Sequence, residues 1–160
     1  MAISVGDRIP DVELMTMTSD GVAPVHSGEV LGKGKVVLFA VPGAFTPTCS
    51  DHHLPGFVLR AEDIKAKGVD TIACIAVNDV FVMGAWGDAQ GTGDSITMLA
   101  DGNGEFAAEV GLTLDGSGFG LGTRSQRYAA IIDDGVVTEL MVEPNPGLDV
   151  SSAEAVLAKL

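Results

Sequence analysis

The sequence predicts an α/β fold, a central mixed sheet flanked by helices, in one domain that spans residues 1–160. Short continuous apolar runs, typical of strands buried on both faces, alternate with stretches of helical periodicity. Two later strand-like runs, joined by the turn residues Asp134 and Gly135, indicate an antiparallel hairpin. A hydrophobic content of 46% in 160 residues is enough for one folded core and excludes a disordered chain.

The strands are placed by their apolar runs and by the turn residues between them. Residues 12–17 alternate loosely and are predicted as a strand at the edge of the sheet, and residues 29–31 as a short helix. A glycine-rich segment, 112–123, is predicted as a flexible loop, because no GK[ST] sequence follows it to make a phosphate cradle. The other strands are predicted at residues 35–41, 70–77, 95–100, 128–132 and 136–142.

Helices are predicted in the intervals between these strands. The first follows the strand 35–41, and Pro55 is expected to make it kink or restart near Gly56, since proline clashes with the carbonyl one turn earlier. Later helices are predicted after a cap at Asn78 or Asp79, at residues 105–110, and after a capping box of Ser151 and Glu154. A βαβ unit followed by an antiparallel hairpin and a closing helix is the plan of a thioredoxin-like fold.

Charge and hydropathy exclude several classes of protein. Nine basic residues against 22 acidic ones give a net charge of −13, so we expect neither nucleic acid nor a membrane as partner. No apolar run reaches the roughly 18 residues of a transmembrane helix, and the amino terminus lacks the basic and apolar regions of a signal peptide. The two cysteines are too few for a disulfide scaffold, and the protein is expected to be cytoplasmic.

One cysteine lies where a strand gives way to a helix. Thr46 is a good N-cap residue and Pro47 a good first helical residue, which places Cys49 in the first turn of the helix. The positive end of a helix stabilises a thiolate, and open α/β sheets carry their sites beyond the carboxyl ends of strands. We therefore interpret Cys49 as a reactive thiol rather than as a small buried hydrophobic residue. Cys74, inside the apolar run 70–77, is interpreted as structural.

Four other side chains are candidates for a role at the site. Arg124 and Arg127 directly precede a hairpin strand whose end can lie beside the cysteine. They are either an ordinary surface pair or the source of the cation that a thiolate needs, and the second reading favours Arg127. His52 and His53 are expected to serve packing or a dimer contact. A structural zinc site needs more ligands than these supply, so no metal is expected.

The spacing of Pro42, Thr46 and Cys49 is PxxxTxxC, the signature of the peroxiredoxins. Over nearly the whole chain the sequence resembles the peroxiredoxin 5 subfamily, with its bacterial and plant type II members. The segments that carry the resemblance are VPGAFTPTCS, HLPGF, VNDVFVMGAWG, LADGNGEF and RSQRYAAIIDDG. The resemblance implies a thioredoxin fold and a thiol peroxidase that works without a cofactor.

The resemblance also implies roles for individual residues. Cys49 would be the peroxidatic nucleophile, which becomes a sulfenic acid, and Thr46 and Arg127 its activating partners. Pro42 would shield the site. The implied substrates are hydrogen peroxide and alkyl hydroperoxides, and a homodimer is typical of similar proteins. Some members carry a resolving cysteine near the carboxyl terminus, whereas residues 141–160 contain none.

We therefore expect a cycle that uses one cysteine. An external thiol, from glutathione, glutaredoxin or thioredoxin, would regenerate Cys49 from its sulfenic acid. Two alternative hypotheses are a redox sensor, in which Cys49 is oxidised only stoichiometrically, and a cysteine hydrolase with His53 as base. Turnover distinguishes the sensor from the enzyme. The hydrolase would lose its activity when His53 is replaced but not when Arg127 is replaced.

Overall fold

The computed structural model describes residues 1–160, and a seven-stranded mixed sheet forms its centre. The strands are β1 (Glu13–Thr18), β2 (Gly21–His26), β3 (Lys35–Ala40), β4 (Thr71–Ala76), β5 (Thr97–Ala100), β6 (Thr113–Asp115), β7 (Thr123–Ser125), β8 (Tyr128–Asp133) and β9 (Val136–Val142). The large sheet has the order β2-β1-β5-β4-β3-β8-β9, and β6 and β7 form a separate pair. Because β3, β4 and β5 are parallel and their neighbours antiparallel, the sheet is mixed as predicted.

Five α-helices lie around the sheet. They are α1 (Ser27–Val30), α2 (Leu54–Ala66), α3 (Val80–Gln90), α4 (Glu105–Val110) and α5 (Ala153–Leu157). A π-helical turn, Cys49–His53, precedes α2, and a 3-10 turn, Ser117–Phe119, lies between β6 and β7. None of the helices combines the length and the apolar character needed to cross a bilayer.

The core is divided between the two faces of the sheet, because successive side chains of a strand point to opposite sides. On β3, Val37 and Phe39 pack on one face with residues of α2, α3 and α5. Val36 and Leu38 pack on the other face with Phe106 and other apolar residues. Both sides of β3 are therefore covered, which explains why its sequence is a continuous apolar run.

The structure confirms most of the predicted elements. The helix at 105–110 and the strand at 136–142 have the predicted bounds. Asp134 and Gly135 have φ values of 47° and 86°, the left-handed conformation that a tight hairpin turn requires. Asp79, and not Asn78, caps α3, since its Oδ1 accepts a hydrogen bond of 2.8 Å from the amide of Val82.

Two segments form more structure than the sequence predicted. β1 lies between β2 and β5, so its predicted place at the edge of the sheet is wrong, and β2, the true edge, was not predicted. β2 contains Pro24, which has no N–H and is tolerated in a strand only at an edge. The glycine-rich segment 112–123, predicted as a loop, contains β6 and the 3-10 turn and leads into β7.

Candidate active site

The chain leaves β3 in a loop that carries the predicted site. This loop runs past the start of α3, where the Ala44 amide donates to Asn78 Oδ1 at 2.9 Å. Phe45 has φ 63°, a left-handed conformation that costs energy in any residue other than glycine. Backbone strain of this kind concentrates at functional sites, and here it lies just before the turn of Cys49.

The helix begins at Pro47, so Cys49 lies in its first turn as predicted, but the turn from Cys49 to His53 is π-helical. The amide of Leu54 donates to the carbonyl of Cys49, five residues earlier. Pro55 accounts for this pattern, because it has no N–H to give to Asp51 in a regular helix, and its ring would clash with that carbonyl. The irregularity predicted from Pro55 is present, but it lies before the proline and not after it. Turns of this type are frequent at functional sites.

The sulfur of Cys49 lies against an arginine. Nη2 of Arg127 donates a hydrogen bond to Cys49 Sγ at 3.1 Å, and Cys49 is completely buried. Topology explains the contact, because β8 is antiparallel to β3 with Tyr128 opposite Ala40, which places residue 127 at the end of β3. The structure therefore brings together the two residues that the sequence singled out, in surroundings where charges interact strongly.

A histidine holds Arg127 in place. Nη1 of Arg127 lies 2.8 Å from Nδ1 of His53, and Nε2 of His53 lies 2.9 Å from the carbonyl oxygen of Ser151. Because a guanidinium only donates, Nδ1 must accept, and Nε2 carries the proton that is donated to Ser151. Both ring nitrogens are occupied. This geometry leaves His53 no lone pair for the proton of Cys49 and contradicts the hydrolase hypothesis, in which His53 is the base.

Burial keeps His53 neutral. Its ring packs against Phe39 and Phe57, with centroids 5.0 and 5.6 Å away, so the expected packing role is also present. Loss of contact with water, and then the charge of Arg127, lower the pKa of His53 from 6.5 to about 3. At neutral pH the ring therefore accepts a hydrogen bond from Arg127 and adds no second positive charge beside it.

His53 should make the protein less stable as the pH falls from about 7 to 5. The unfolded chain protonates this imidazole near pH 6.5 and the folded protein only near pH 3, so the unfolded state binds more protons in between. One such group removes about 2 kcal/mol over this interval. Urea unfolding at both pH values measures the loss, which His53→Gln, a residue that does not titrate, should reduce by that amount. Equal pH dependence in both proteins would contradict the prediction.

Ser151 is itself held by a carboxylate. Oε2 of Glu143 accepts from the amide and the hydroxyl of Ser151, at 2.8 and 2.6 Å, and from the amide of Asp149 at 2.8 Å. Partial burial opposes ionisation, but these hydrogen bonds outweigh it and lower the pKa of Glu143. Because its hydroxyl is bound to Glu143, Ser151 does not cap α5, and the capping box predicted from Ser151 and Glu154 is wrong. Ser152 caps α5 and accepts from the amide of Ala155 at 3.1 Å.

Thr46 and Pro42 lie in the loop before the turn. The Thr46 hydroxyl donates to the carbonyl of Gly43 at 2.6 Å, so it turns back into the loop and does not cap the helix as predicted. Arg124 donates from Nη1 to the Pro42 carbonyl at 3.5 Å and from Nε to the Leu121 carbonyl at 2.8 Å. Arg124 therefore joins this loop to the segment between β6 and β7. It is not one of an ordinary pair of surface arginines.

A cavity of about 360 Å³ opens beside these residues. Pro42, Leu114, Arg127, Glu143 and the segment 144–147 contribute to its lining. A larger cavity, about 520 Å³ between β1 and α3, has neither Arg127 nor Pro42 in its lining. No group of three or more histidine, cysteine or acidic side chains is arranged to hold a metal ion. The smaller cavity is therefore the one beside the reactive chemistry.

The second cysteine lies inside the sheet. Cys74 is completely buried on β4, opposite Phe39 on one side and Met98 on the other. Burial raises the pKa of the Cys74 thiol, which therefore stays protonated. These surroundings agree with the interpretation of Cys74 as a structural residue.

Sequence reasoning missed the contacts behind Arg127. His53 had one available signal: it follows Cys49 by four residues, which places both on one side of a helix. Ser151, which is 98 residues from His53 along the chain, and Glu143 carry no local pattern that marks them. His52, the neighbour of His53 in the sequence, is exposed.

The chain is similar to known proteins over nearly all of its length. A family model described as Redoxin matches residues 4–157. Peroxiredoxin-2E, chloroplastic, from Arabidopsis thaliana is 49% identical over 99% of this chain and 70% of that relative. The crystal structure of reduced Prx3 from Vibrio vulnificus in complex with hydrogen peroxide has a TM-score of 0.94 and 52% identity over 98% of both chains. Peroxiredoxin 5 from Alvinella pompejana has a TM-score of 0.83 and 39% identity over 98% of this chain and 96% of that chain.

Proposed function

The chain belongs to the peroxiredoxin family, with the type II and peroxiredoxin 5 enzymes, and on this premise we propose that Cys49 is its peroxidatic residue. Membership confirms the predicted thioredoxin-like fold and the activity, which is thiol-dependent reduction of peroxides through a cysteine. The observation that supports the choice of Cys49 is the hydrogen bond of 3.1 Å from Arg127 to its sulfur. Cys74 lies within a strand and has no such partner.

The proposed reaction begins with Cys49 as a thiolate. Its sulfur attacks one oxygen of the peroxide, and an S–O bond forms as the O–O bond breaks. The other oxygen leaves as hydroxide or alkoxide and takes up a proton from solvent, which balances the proton that the Cys49 thiol released on ionisation. Cys49 is thereby oxidised to a sulfenic acid, and the peroxide is reduced to water or an alcohol. Arg127 stabilises the negative charge on the sulfur and then on the departing oxygen.

Thr46 and Pro42 are proposed to complete the peroxide site. Because the Thr46 hydroxyl donates to Gly43, its oxygen is left to accept the O–H of a peroxide. Arg127 only donates, so the two residues offer complementary partners that can align a peroxide with the sulfur. Pro42 lines the same cavity as Arg127, and its apolar ring is suited to exclude water from the thiolate.

Hydrogen peroxide and small alkyl hydroperoxides are the proposed substrates. The Vibrio vulnificus relative was solved in complex with hydrogen peroxide. In this chain, the cavity of about 360 Å³ has room for a small organic group, and Pro42, Leu114, Pro144 and Pro146 supply apolar lining. These substrates are neutral, so the net charge of −13 does not repel them.

An external thiol is proposed to close the cycle, from glutathione, glutaredoxin or thioredoxin. The thiol attacks the sulfenic sulfur of Cys49, a disulfide forms and water leaves; a second thiol then reduces that disulfide. Cys74 is poorly suited to this step, because β4 is bonded into the sheet on both sides and the strand cannot easily move to adopt the geometry that a disulfide needs. Both cysteines are free thiols, which supports the cytoplasm as the proposed location.

Cys74→Ser is expected to keep near-normal turnover with glutaredoxin and glutathione, because Cys74 takes no part in the cycle. Mass spectrometry after an equimolar dose of peroxide, with a sulfenic-acid trap present, should find the adduct on Cys49. A Cys49–Cys74 linkage in most oxidised monomers, with loss of turnover in Cys74→Ser, would instead make Cys74 the resolving residue. Parallel assays with thioredoxin identify the reductant, and absence of turnover with every thiol donor would favour the redox sensor.

A homodimer is proposed to cover the rim of the site. Phe45, Phe81 and Phe119 are exposed, although large apolar side chains are usually buried. The hydrogen bond from Ala44 to Asn78 joins the segments of Phe45 and Phe81, and Arg124 ties the segment of Phe119 to the same loop. Exposed aromatic residues are characteristic of protein interfaces.

The variant Phe81→Glu/Phe119→Glu is expected to be monomeric, because an interface would have to bury both charges. Sedimentation velocity should show wild type as a dimer at micromolar concentration and this variant as a monomer. Leu59→Glu, at an exposed apolar position on α2, is the matched control and should remain dimeric. A monomeric wild type, or a dimeric double variant, would exclude this interface.

A further inference from the structure

Helix α3 donates two hydrogen bonds to the residue that follows Cys49. Nε1 of Trp86 donates to Ser50 Oγ at 3.0 Å, and Nε2 of Gln90 donates to the Ser50 carbonyl oxygen at 3.1 Å. Trp86 and Gln90 lie one turn apart on α3, so they face the same neighbour. The hydroxyl oxygen and the carbonyl oxygen of Ser50 therefore both accept hydrogen bonds from the same helix.

The π-helical turn explains why the Ser50 carbonyl needs a donor from outside. The amide of Leu54, which would serve Ser50 in a regular helix, donates to Cys49 instead. In the π pattern the next donor would be residue 55, which is proline and has no N–H. An unpaired carbonyl away from water costs free energy, and the side-chain amide of Gln90 removes this cost.

The buried indole N–H of Trp86 also needs the hydrogen bond to Ser50. Its side chain is completely buried in the same apolar cluster as Cys49, and a buried indole N–H requires an acceptor. Ser50 Oγ supplies that acceptor. The turn and α3 therefore fix each other through complementary groups.

We propose that Trp86 and Gln90 are positioning residues for Cys49. By holding Ser50 they keep the π-helical turn closed and the Cys49 sulfur at its place beside Arg127. The proposal rests on the proposed role of Cys49 as the peroxidatic residue. Neither Trp86 nor Gln90 donates a hydrogen bond to the sulfur or lines the cavity beside Arg127, and the hydrogen bonds of both go to Ser50.

Loosening of the turn should change two measurable rates in opposite directions: the rate at which peroxide oxidises Cys49 and the rate at which a bulky reagent alkylates it. Reaction with peroxide depends on the alignment of the sulfur with its partners, and small displacements at a reacting atom are costly. Cys49 is completely buried, so a bulky alkylating reagent reaches it only when the turn opens. Loosening should therefore slow oxidation by peroxide and accelerate alkylation.

Gln90→Met tests this, since it keeps the side-chain length and removes the donor. In single-turnover stopped flow, oxidation by hydrogen peroxide should slow by at least about tenfold, while alkylation of Cys49 by a bulky reagent, fluorescein-5-maleimide, accelerates several-fold. Asp88→Asn, an exposed position on the same helix, is the control and should change neither rate. Oxidation within about twofold of wild type, or a fall in both rates together, would overturn the proposal.

A double-mutant cycle tests Trp86 independently, in case Gln90→Met does not fold. If Trp86 acts through Ser50, then Trp86→Phe combined with Ser50→Ala should oxidise no more slowly than the slower single variant. Additive losses would show that Trp86 acts by packing alone and would overturn its assignment. Cys49→Ser in the same stopped-flow assay separates the two proposals: oxidation at the wild-type rate there would refute the role of Cys49, whatever Gln90 does.

Discussion

Replacement of Cys49 by serine is expected to abolish peroxide consumption. A serine hydroxyl stays protonated at neutral pH and is a far weaker nucleophile than a thiolate, so no covalent intermediate forms. Serine is close to cysteine in size, and the buried site should stay folded around it. Loss of hydrogen peroxide in the presence of glutaredoxin and glutathione measures the activity, and circular dichroism during heating measures the fold.

Cys74→Ser is the matched control for this experiment. It makes the same atomic change at the other buried cysteine, in the middle of β4, and should leave turnover near the wild-type value. Wild-type turnover in Cys49→Ser would sink the proposed mechanism. If activity were lost only in Cys74→Ser, Cys74 would be the nucleophile, although burial raises the pKa of its thiol and keeps it protonated.

Replacement of Arg127 by alanine is expected to lower kcat/KM for hydrogen peroxide by at least about tenfold, as loss of one donor from a charge-stabilising site does. The change removes the hydrogen bond of 3.1 Å to Cys49 Sγ and the cation beside it. Arg127→Lys should also be impaired, because lysine lacks the planar fork that reaches His53 and Cys49 at once. Steady-state peroxidase assays with glutaredoxin and glutathione measure both variants.

Arg60→Ala provides the control for loss of an arginine. Arg60 pairs with Asp63 and Glu154 on the surface of α2 and α5, away from the site, so its removal should leave kcat/KM unchanged. All variants should show one cooperative thermal transition. Full activity in Arg127→Ala would refute the role assigned to this residue, and an inactive His53→Gln beside it would assign that role to the histidine.

The location of the site was predictable because its main features are local in the sequence. The apolar run before the loop, the spacing of Pro42, Thr46 and Cys49, and the helical pattern after them place the thiol at a strand-to-helix junction. Arg127 was within reach of the same reasoning, because a hairpin strand that pairs with β3 must begin where β3 ends. The exact path of the turn was not predictable. Pro55 predicts an irregular helix, but it does not say on which side of the proline the hydrogen-bond pattern changes.

The supports of the site were not predictable in this way. His53, Ser151 and Glu143 act through contacts between distant parts of the chain, and the pairing of Ser50 with Trp86 and Gln90 is of the same kind. Sequence periodicity assigns such residues to a buried or an exposed face, but it does not say which polar atoms meet there.

The sequence by itself determined the α/β order of elements, the identity of the family and the choice of Cys49 as the candidate nucleophile, because each depends on the residues of short segments. Tertiary structure alone decided that His53 is a neutral acceptor for Arg127, that Ser151 supports it, and that α3 closes the turn around the sulfur. The physical reason is that a buried polar group must find its partner wherever the fold brings one. In this protein those partners lie far along the chain from the cysteine that they serve.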